Sequence, residues 1–412
     1  MAAVRLDAPA LSGATALQAF RSPNFALLWS AQVVSGFGDK ITIFALAFVT
    51  WELTRSAVST TLAIVISTIP HAIFGFFGGA IADAAGHRRT MIACDVVRMV
   101  AIGVIPAILL AGAPLWVAYV LVLVAAMCSA IFNPTRMAII PDLVPPERLG
   151  ASNSMVFASD RTVEILGTLT AGILVALLRE SAFYVDALTF GLSAVLLGRI
   201  SMVERPARAV SWGRIWSDAL DGVRLLRDHA VLRANTVFAL LAQLSLPIVN
   251  GLTPVLIFRE YGLGPEHFGV TEAAIAVGAV VAGIFYPAFL GRVRKGRAIV
   301  AGFALLGLVM VAIALAPSFP LAVVLFALLG VTNVVFLIPI MTLVQEQTPA
   351  GARARVFGAR FALLNLTWLP VILVGALLAE VLTVQAVFAA AGLFTLGVAL
   401  VGSLFRVVRD VA

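Results

Sequence analysis

The chain has 412 residues, 61% of them hydrophobic and 12% charged, with a net charge of +7. A soluble domain carries about 25% charged and 45–50% apolar residues, so this mixture cannot clothe a water-soluble surface and needs lipid as a second solvent. The basic balance does not mark a nucleic-acid binder, because no basic patch is interleaved with aromatics on a polar domain.

A membrane span takes about 20 predominantly apolar residues. Twelve are predicted, at 25–51, 57–80, 91–111, 115–136, 153–178, 183–200, 233–258, 267–290, 298–316, 319–344, 356–379 and 384–405. Pro114 separates spans three and four, and Pro317 with Pro320 separates spans nine and ten, as Pro favours in tight hairpins. The N-terminal stretch lacks the charged region, short apolar core and small-residue cleavage site of a signal peptide. Cys94 and Cys128 lie inside spans, form no CxxC pair and read as buried thiols.

Basic residues set the orientation. With the N-terminus inside, 22 of the 28 Lys and Arg fall at cytoplasmic ends or loops. The exceptions are Arg55, Arg179 and Arg259 outside, and Lys40, Arg98 and Arg161 within spans. Both termini are therefore expected in the cytoplasm.

The longest polar stretch, 201–232, divides six spans from six. Within it Trp212, Ile215, Trp216, Ala219, Leu220 and Val223 recur at intervals of three and four, opposite Arg214, Asp218, Asp221 and Arg224. An amphipathic helix on the cytoplasmic membrane surface fits, and a solvated linker helix is the alternative. The expected organisation is a first bundle at 1–200, a linker at 201–232 and a second bundle at 233–412. A repeat supports it. At an offset of 205 residues Gly86 meets Gly291, Arg89 meets Arg294, Pro134 meets Pro339 and Arg148 meets Arg353. The expected fold is all-α, with twelve transmembrane helices in two pseudo-symmetric six-helix bundles.

Between spans two and three the chain reads Gly79-Ala-Ile-Ala-Asp83-Ala-Ala-Gly86-His-Arg88-Arg89. This resembles the cytoplasmic loop signature of the major facilitator superfamily, with Ala84 where that family usually has a basic residue. The Gly residues permit close approach and a sharp turn. Asp83 at a helix end can pair with Arg or with a helix N-terminus. Such a contact would latch one conformation, and a basic loop that only fixes topology is the alternative. In the second half Ala288 stands at the position of Asp83, so the latch is expected to be asymmetric. Asp95 and Arg98 are three apart on one face of span three and are assigned to the same latch.

Two further segments resemble the branch of that superfamily with enterobactin exporters and macrolide efflux proteins. One runs from Asn133-Pro134-Thr-Arg136 through Pro141, Asp142 and Arg148 to Asn153, and the other from Asp218 through Gly222 to Arg233. The resemblance implies bacterial export of an amphipathic small molecule, such as a drug, macrolide or siderophore, by proton-coupled antiport across the plasma membrane. A related branch moves lysophospholipids, and the Gly38-Asp39 step resembles both. Thr168 follows Gly167 where drug antiporters often carry Pro, which leaves uniport or another coupling open. No cofactor is expected beyond the proton gradient, and a monomer is expected.

Ionisable residues inside a membrane cost roughly 2.5–3.5 kcal/mol each, so they should face a cavity or a partner. Asp39 and Gln32 share one helix face, and Lys40 is adjacent. Asp39 is either a proton or substrate site or half of a structural pair with Lys40. Arg161 and Glu164 are three apart in span five and read as a coupling site or an internal ion pair. The second half offers neutral cavity candidates, Gln243, Asn250, Asn333 and Asn365, and Glu272 near the outer end of span eight. Coupling is thus expected in the first half and substrate between the halves. A non-transporting receptor or scaffold would need a soluble module that the chain lacks. No metal-ligand cluster, phosphate-binding Gly loop adjoining a Lys or nucleophile arrangement points to an enzyme or to ATP-driven transport.

Overall fold

The computed structural model describes residues 18–70, 86–145, 148–201, 220–221, 223–242, 244–289, 293–348 and 353–404. Every regular element among them is helical. The helices are α1 (Pro23–Thr54), α2 (Ala57–Pro70), α3 (His87–Leu110), α4 (Leu115–Leu143), α5 (Leu149–Leu178) and α6 (Ala182–Gly198). Then follow α7 (Ala230–Ala242 and Leu246–Val255), α8 (Pro265–Phe289), α9 (Lys295–Ala314), α10 (Phe319–Gln347), α11 (Arg353–Val381) and α12 (Val384–Leu404). All twelve predicted spans find a helix. The linker at 202–219, Gly79, Asp83, Ala288's side chain and Gln243 lie outside what is described.

Two elements differ from expectation. Helix α4 continues to Leu143 with Pro134 and Pro141 inside it, although its span was expected to end at Arg136. Neighbouring helices and side chains in a membrane protein can re-satisfy the backbone groups a Pro frees, so Pro does not end the helix there. Helix α7 is broken instead of continuous. Its second piece starts with Pro247 in the first turn, where the missing N–H costs nothing. Ser245 at the break is held by α12: its Oγ donates to the Ala391 carbonyl at 3.2 Å, and Thr395 Oγ1 donates to Ser245 Oγ at 2.7 Å.

Packing repeats in the two sets of six. Helix α3 packs on α4 and α6, and α1 on α5; correspondingly α9 packs on α10 and α12, and α7 on α11. Large apolar side chains such as Leu110, Leu177, Leu188, Val381 and Leu400 remain exposed on the outer surface, where lipid is their solvent.

The helix ends gather on two faces. The start of α1, the start of α3 and the end of α6 meet on one, where Asn24 Nδ2 donates to Ser201 O at 2.7 Å and Arg88 Nε to Leu197 O at 3.1 Å. We call this the terminal face. On the opposite, hairpin face the two sets of helices interlock. Phe44 stacks on Phe268 with centroids 4.3 Å apart, and Phe48 meets Phe258 edge-on at 5.9 Å. Glu380 accepts from Ser56 Oγ at 2.6 Å and from Val58 N at 3.2 Å, and Thr61 Oγ1 donates to Gly251 O at 3.0 Å. Helices α5 and α8 come close enough that a Cβ on Gly172 would lie 2.7 Å from the Pro265 carbonyl oxygen, and one on Gly269 2.7 Å from that of Thr168. Only Gly fits at those two crossing points.

Candidate functional site

A half-open pocket of about 380 Å³ is lined by residues of helices α1 to α6. Its wall carries Asp39 and Lys40 from α1, Arg136 from α4, Asp160 from α5 and Asp186 from α6, among apolar neighbours such as Ile102 and Val122. Burying this many charges in a span is costly unless each is paired or faces the cavity.

Arg98 on α3 is the hub. Its side chain is 2% exposed and lies between two carboxylates. Nη2 bonds to Asp39 Oδ1 on α1, while Nη1 reaches Asp95 Oδ1 at 3.3 Å. The guanidinium lies over the ring of Phe190 on α6, 3.7 Å from the centroid. Such stacking suits the flat, weakly hydrated Arg cation better than a Lys ammonium. Asp95 is fully buried and also accepts from Ser193 Oγ at 2.5 Å. Asp39 differs from both: its side chain is 41% exposed and faces the cavity.

Asp186 is the third carboxyl of this group. It is fully buried, with Thr42 Oγ1 on one oxygen and Thr189 Oγ1 at 3.1 Å from the other. Gly38 makes room for it, since a Cβ there would overlap the Asp186 carboxyl and the Thr189 hydroxyl. The Gly38-Asp39 step thus has a packing role next to a charged one.

A second pair closes the wall nearer the terminal face. Arg136 forks onto Asp160, Nη1 to Oδ1 at 3.1 Å and Nη2 to Oδ2 at 3.2 Å. This two-point geometry is the strong form of an Arg–carboxylate contact. The Arg136 Nε and the buried Gln32 Oε1 have no hydrogen-bond partner. Trp29 Nε1 fixes the neighbouring Ser159 at 2.6 Å.

The predicted site residues distribute as follows. Asp39 pairs with Arg98 and not with its neighbour Lys40. The Lys40 side chain instead runs across α5, its Cγ 3.3 Å from where a Cβ on Gly167 would be. It lies close enough to Glu272 on α8 to act on it electrostatically, as does Glu164. Arg161 and Glu164 form an ion pair at 2.5 Å, both about half exposed, with Arg161 over the Phe157 ring at 5.4 Å. Gly86 caps α3 at φ +89°, Arg88 binds the end of α6, and Arg89 is exposed beside it. Asp95 and Arg98, assigned to a latch with the Asp83 loop, lie on α3 and contact α1 through Asp39 and α6 through Ser193 and Phe190; Asp83 lies outside the described residues. Gln32 lines the cavity, whereas Asn250, exposed on α7, and Asn333, half-buried on α10, are not on its wall. Asn365 lies on α11, and its side chain is not among those described.

Sequence reasoning passed over Asp186, Asp160 and the burial of Arg136. A lone Asp in the apolar run of span six was a signal, by the same cost argument that singled out Asp39. Arg136 was read as a cytoplasmic end because the helix was expected to stop at the Pro-rich segment.

The model of the Major Facilitator Superfamily matches residues 28–370, and again 236–412. Macrolide efflux protein A of Streptococcus pyogenes is 24% identical over 396 residues, covering 94% of this chain and 96% of that protein. Multidrug efflux pump Tap of Mycolicibacterium fortuitum is 25% identical over 349 residues, 82% and 84% respectively. Lysophospholipid transporter LplT of Yersinia pestis (strain Pestoides F) is 25% identical over 335 residues, 77% of each.

Proposed function

The chain belongs to the major facilitator superfamily, and on that premise we propose that it exports an amphipathic small molecule from a bacterial cell by proton-coupled antiport. It is a multi-pass membrane transporter and not an enzyme. The finer reading takes the terminal face as cytoplasmic, in keeping with the distribution of Lys and Arg. The interlock of α1, α2 and α5 with α7, α8 and α11 then closes the protein toward the outside. Alternating access would open that seam and close the opposite one, the two six-helix sets rocking against each other.

The cavity carries this reading. Its wall is part apolar and part charged, as an amphipathic guest requires. Its charges are held in pairs, Arg98–Asp39 and Arg136–Asp160, that a proton on either carboxyl would weaken. The macrolide efflux relative covers nearly the whole chain and supports export. Proton entry is assigned to the first six helices, at Asp39 with Glu164 as a second candidate. No cofactor takes part.

The experiment is transport of a radiolabelled macrolide into inverted membrane vesicles, with an imposed proton gradient, by the parent chain and by Asp39→Asn and Glu164→Gln. Loss of gradient-driven uptake in Asp39→Asn supports the assignment. Unchanged uptake in both variants removes it. Lysophospholipid transport is the second reading, supported by the Yersinia pestis relative and by Lys40 and Arg136 on the cavity wall, which a phosphate would suit. Competition by lysophospholipid with no competition by macrolide would favour it.

A further inference from the structure

The cluster around Arg98 does not balance. Three carboxyls, Asp39, Asp95 and Asp186, share one guanidinium. Asp39 and Asp95 both contact it; Asp186 has only the hydroxyls of Thr42 and Thr189. Two hydroxyls do not compensate an ionised carboxylate taken fully out of water, whereas a neutral carboxyl is well served by them.

Among the described residues no other cation comes to Asp186. From α1 the charged groups are Asp39 and Lys40, and Lys40 leans toward α5 and α8. From α3 they are Asp95 and Arg98, with the Cys94 thiol beside them, and from α4 the Cys128 thiol. Arg136 and Asp160 stand farther along the cavity wall and are committed to each other. Asp186 itself lines the cavity, which is large enough to hold water. Arg98 keeps one donor in reserve: its Nε is buried without a partner.

We infer that Asp186 holds a proton in this outward-closed conformation, and that Asp39 and Asp186 compete for Arg98. The carboxyl without the guanidinium carries the proton. When Asp39 takes a proton from the cavity, it releases Arg98. The guanidinium then turns toward Asp186, whose proton leaves to cavity water. One proton is gained and one lost, and the charge of the cluster is unchanged. Gly38 and Thr42 are positioning residues that hold Asp186 against α1. As a carrier of coupling, Asp186 rests on the antiport reading above; as a proton-holding group it does not.

Two measurements test it. The first is the infrared C=O absorption of a protonated buried carboxyl in the purified, folded protein. It should be present in the parent chain at neutral pH, lost in Asp186→Asn, and diminished in Asp39→Asn, where Arg98 is free to turn to Asp186. A band unchanged in Asp186→Asn overturns the proposal. The second is macrolide transport in proteoliposomes. In Asp186→Asn the ratio of gradient-driven transport to the variant's own counterflow, which needs no gradient, should fall to about one; Asp186→Glu should regain part of it. Full acceleration in Asp186→Asn overturns the coupling role. A parent chain indifferent to the gradient overturns antiport alone, because the infrared result still stands on its own. If Asp186→Asn does not fold, Thr42→Val keeps every charge and removes one hydroxyl. It should shift the C=O band and the pH at which transport is half-maximal, and no shift in either overturns the proposal.

Discussion

Arg98 is the residue on which the first six helices depend. It is buried between carboxylates of two helices and stacked on an aromatic of a third. Removing one member of a buried ionic group strands the others, at a cost of about 3–5 kcal/mol. Arg98→Met should therefore lower the thermal unfolding midpoint in detergent sharply. Adding Asp95→Asn should recover part of the loss, and strictly additive losses would contradict the shared network. Gly38→Ala should act at Asp186 without changing any charge, because its Cβ would overlap that carboxyl. Transport should fall while folding is kept, and normal transport would count against the placement of Asp186. Much of this was legible beforehand. Charges within apolar runs singled out Asp39, Asp95 and Arg98, and three-residue spacing joined the last two. The pairing of Asp39 with Arg98 was not legible, because it joins different helices and spacing along one helix says nothing about it. Lys40 was the nearer cation in sequence, yet consecutive helical positions point about 100° apart and do not face each other.

At the scale of helices the seam between α5 and α8 controls the hairpin face. Gly172 and Gly269 bring the two backbones together there. Gly269→Leu should hold the seam open and slow transport by about tenfold, the effect of some 1.4 kcal/mol on a gating equilibrium. The check is transport rate per correctly folded protein, and an unaltered rate would show that the seam does not move. Glu380→Gln weakens the carboxylate that accepts from Ser56 and Val58. It should increase labelling of a cysteine introduced at Ile43, in a background lacking Cys94 and Cys128, by a membrane-impermeant thiol reagent added from outside. No increase would contradict a gate at this face. Helix number and rough placement were readable from apolar runs, since lipid demands a fixed length of them. The continuation of α4 past Pro134 and Pro141 and the break in α7 were not, because both depend on what neighbouring helices offer to freed backbone groups.

For the whole molecule, the repeated packing of α1–α6 in α7–α12 agrees with the repeat visible at an offset of 205 residues. The twelve-helix plan was therefore readable from sequence, whereas the pairing of charges from different helices around the pocket was not. The half-open pocket described here is lined by the first six helices, where the buried charges concentrate, and substrate is expected between the halves. Periodicity ranks faces of single helices and cannot say which faces meet. The central claim is export driven by proton entry through those helices. Its most direct test is accumulation of a radiolabelled macrolide in inverted vesicles containing the parent chain, before and after the proton gradient is collapsed by an ionophore. The account predicts accumulation above equilibrium that disappears with the gradient. Accumulation that survives the collapse, or that never exceeds equilibrium with the gradient intact, would contradict it.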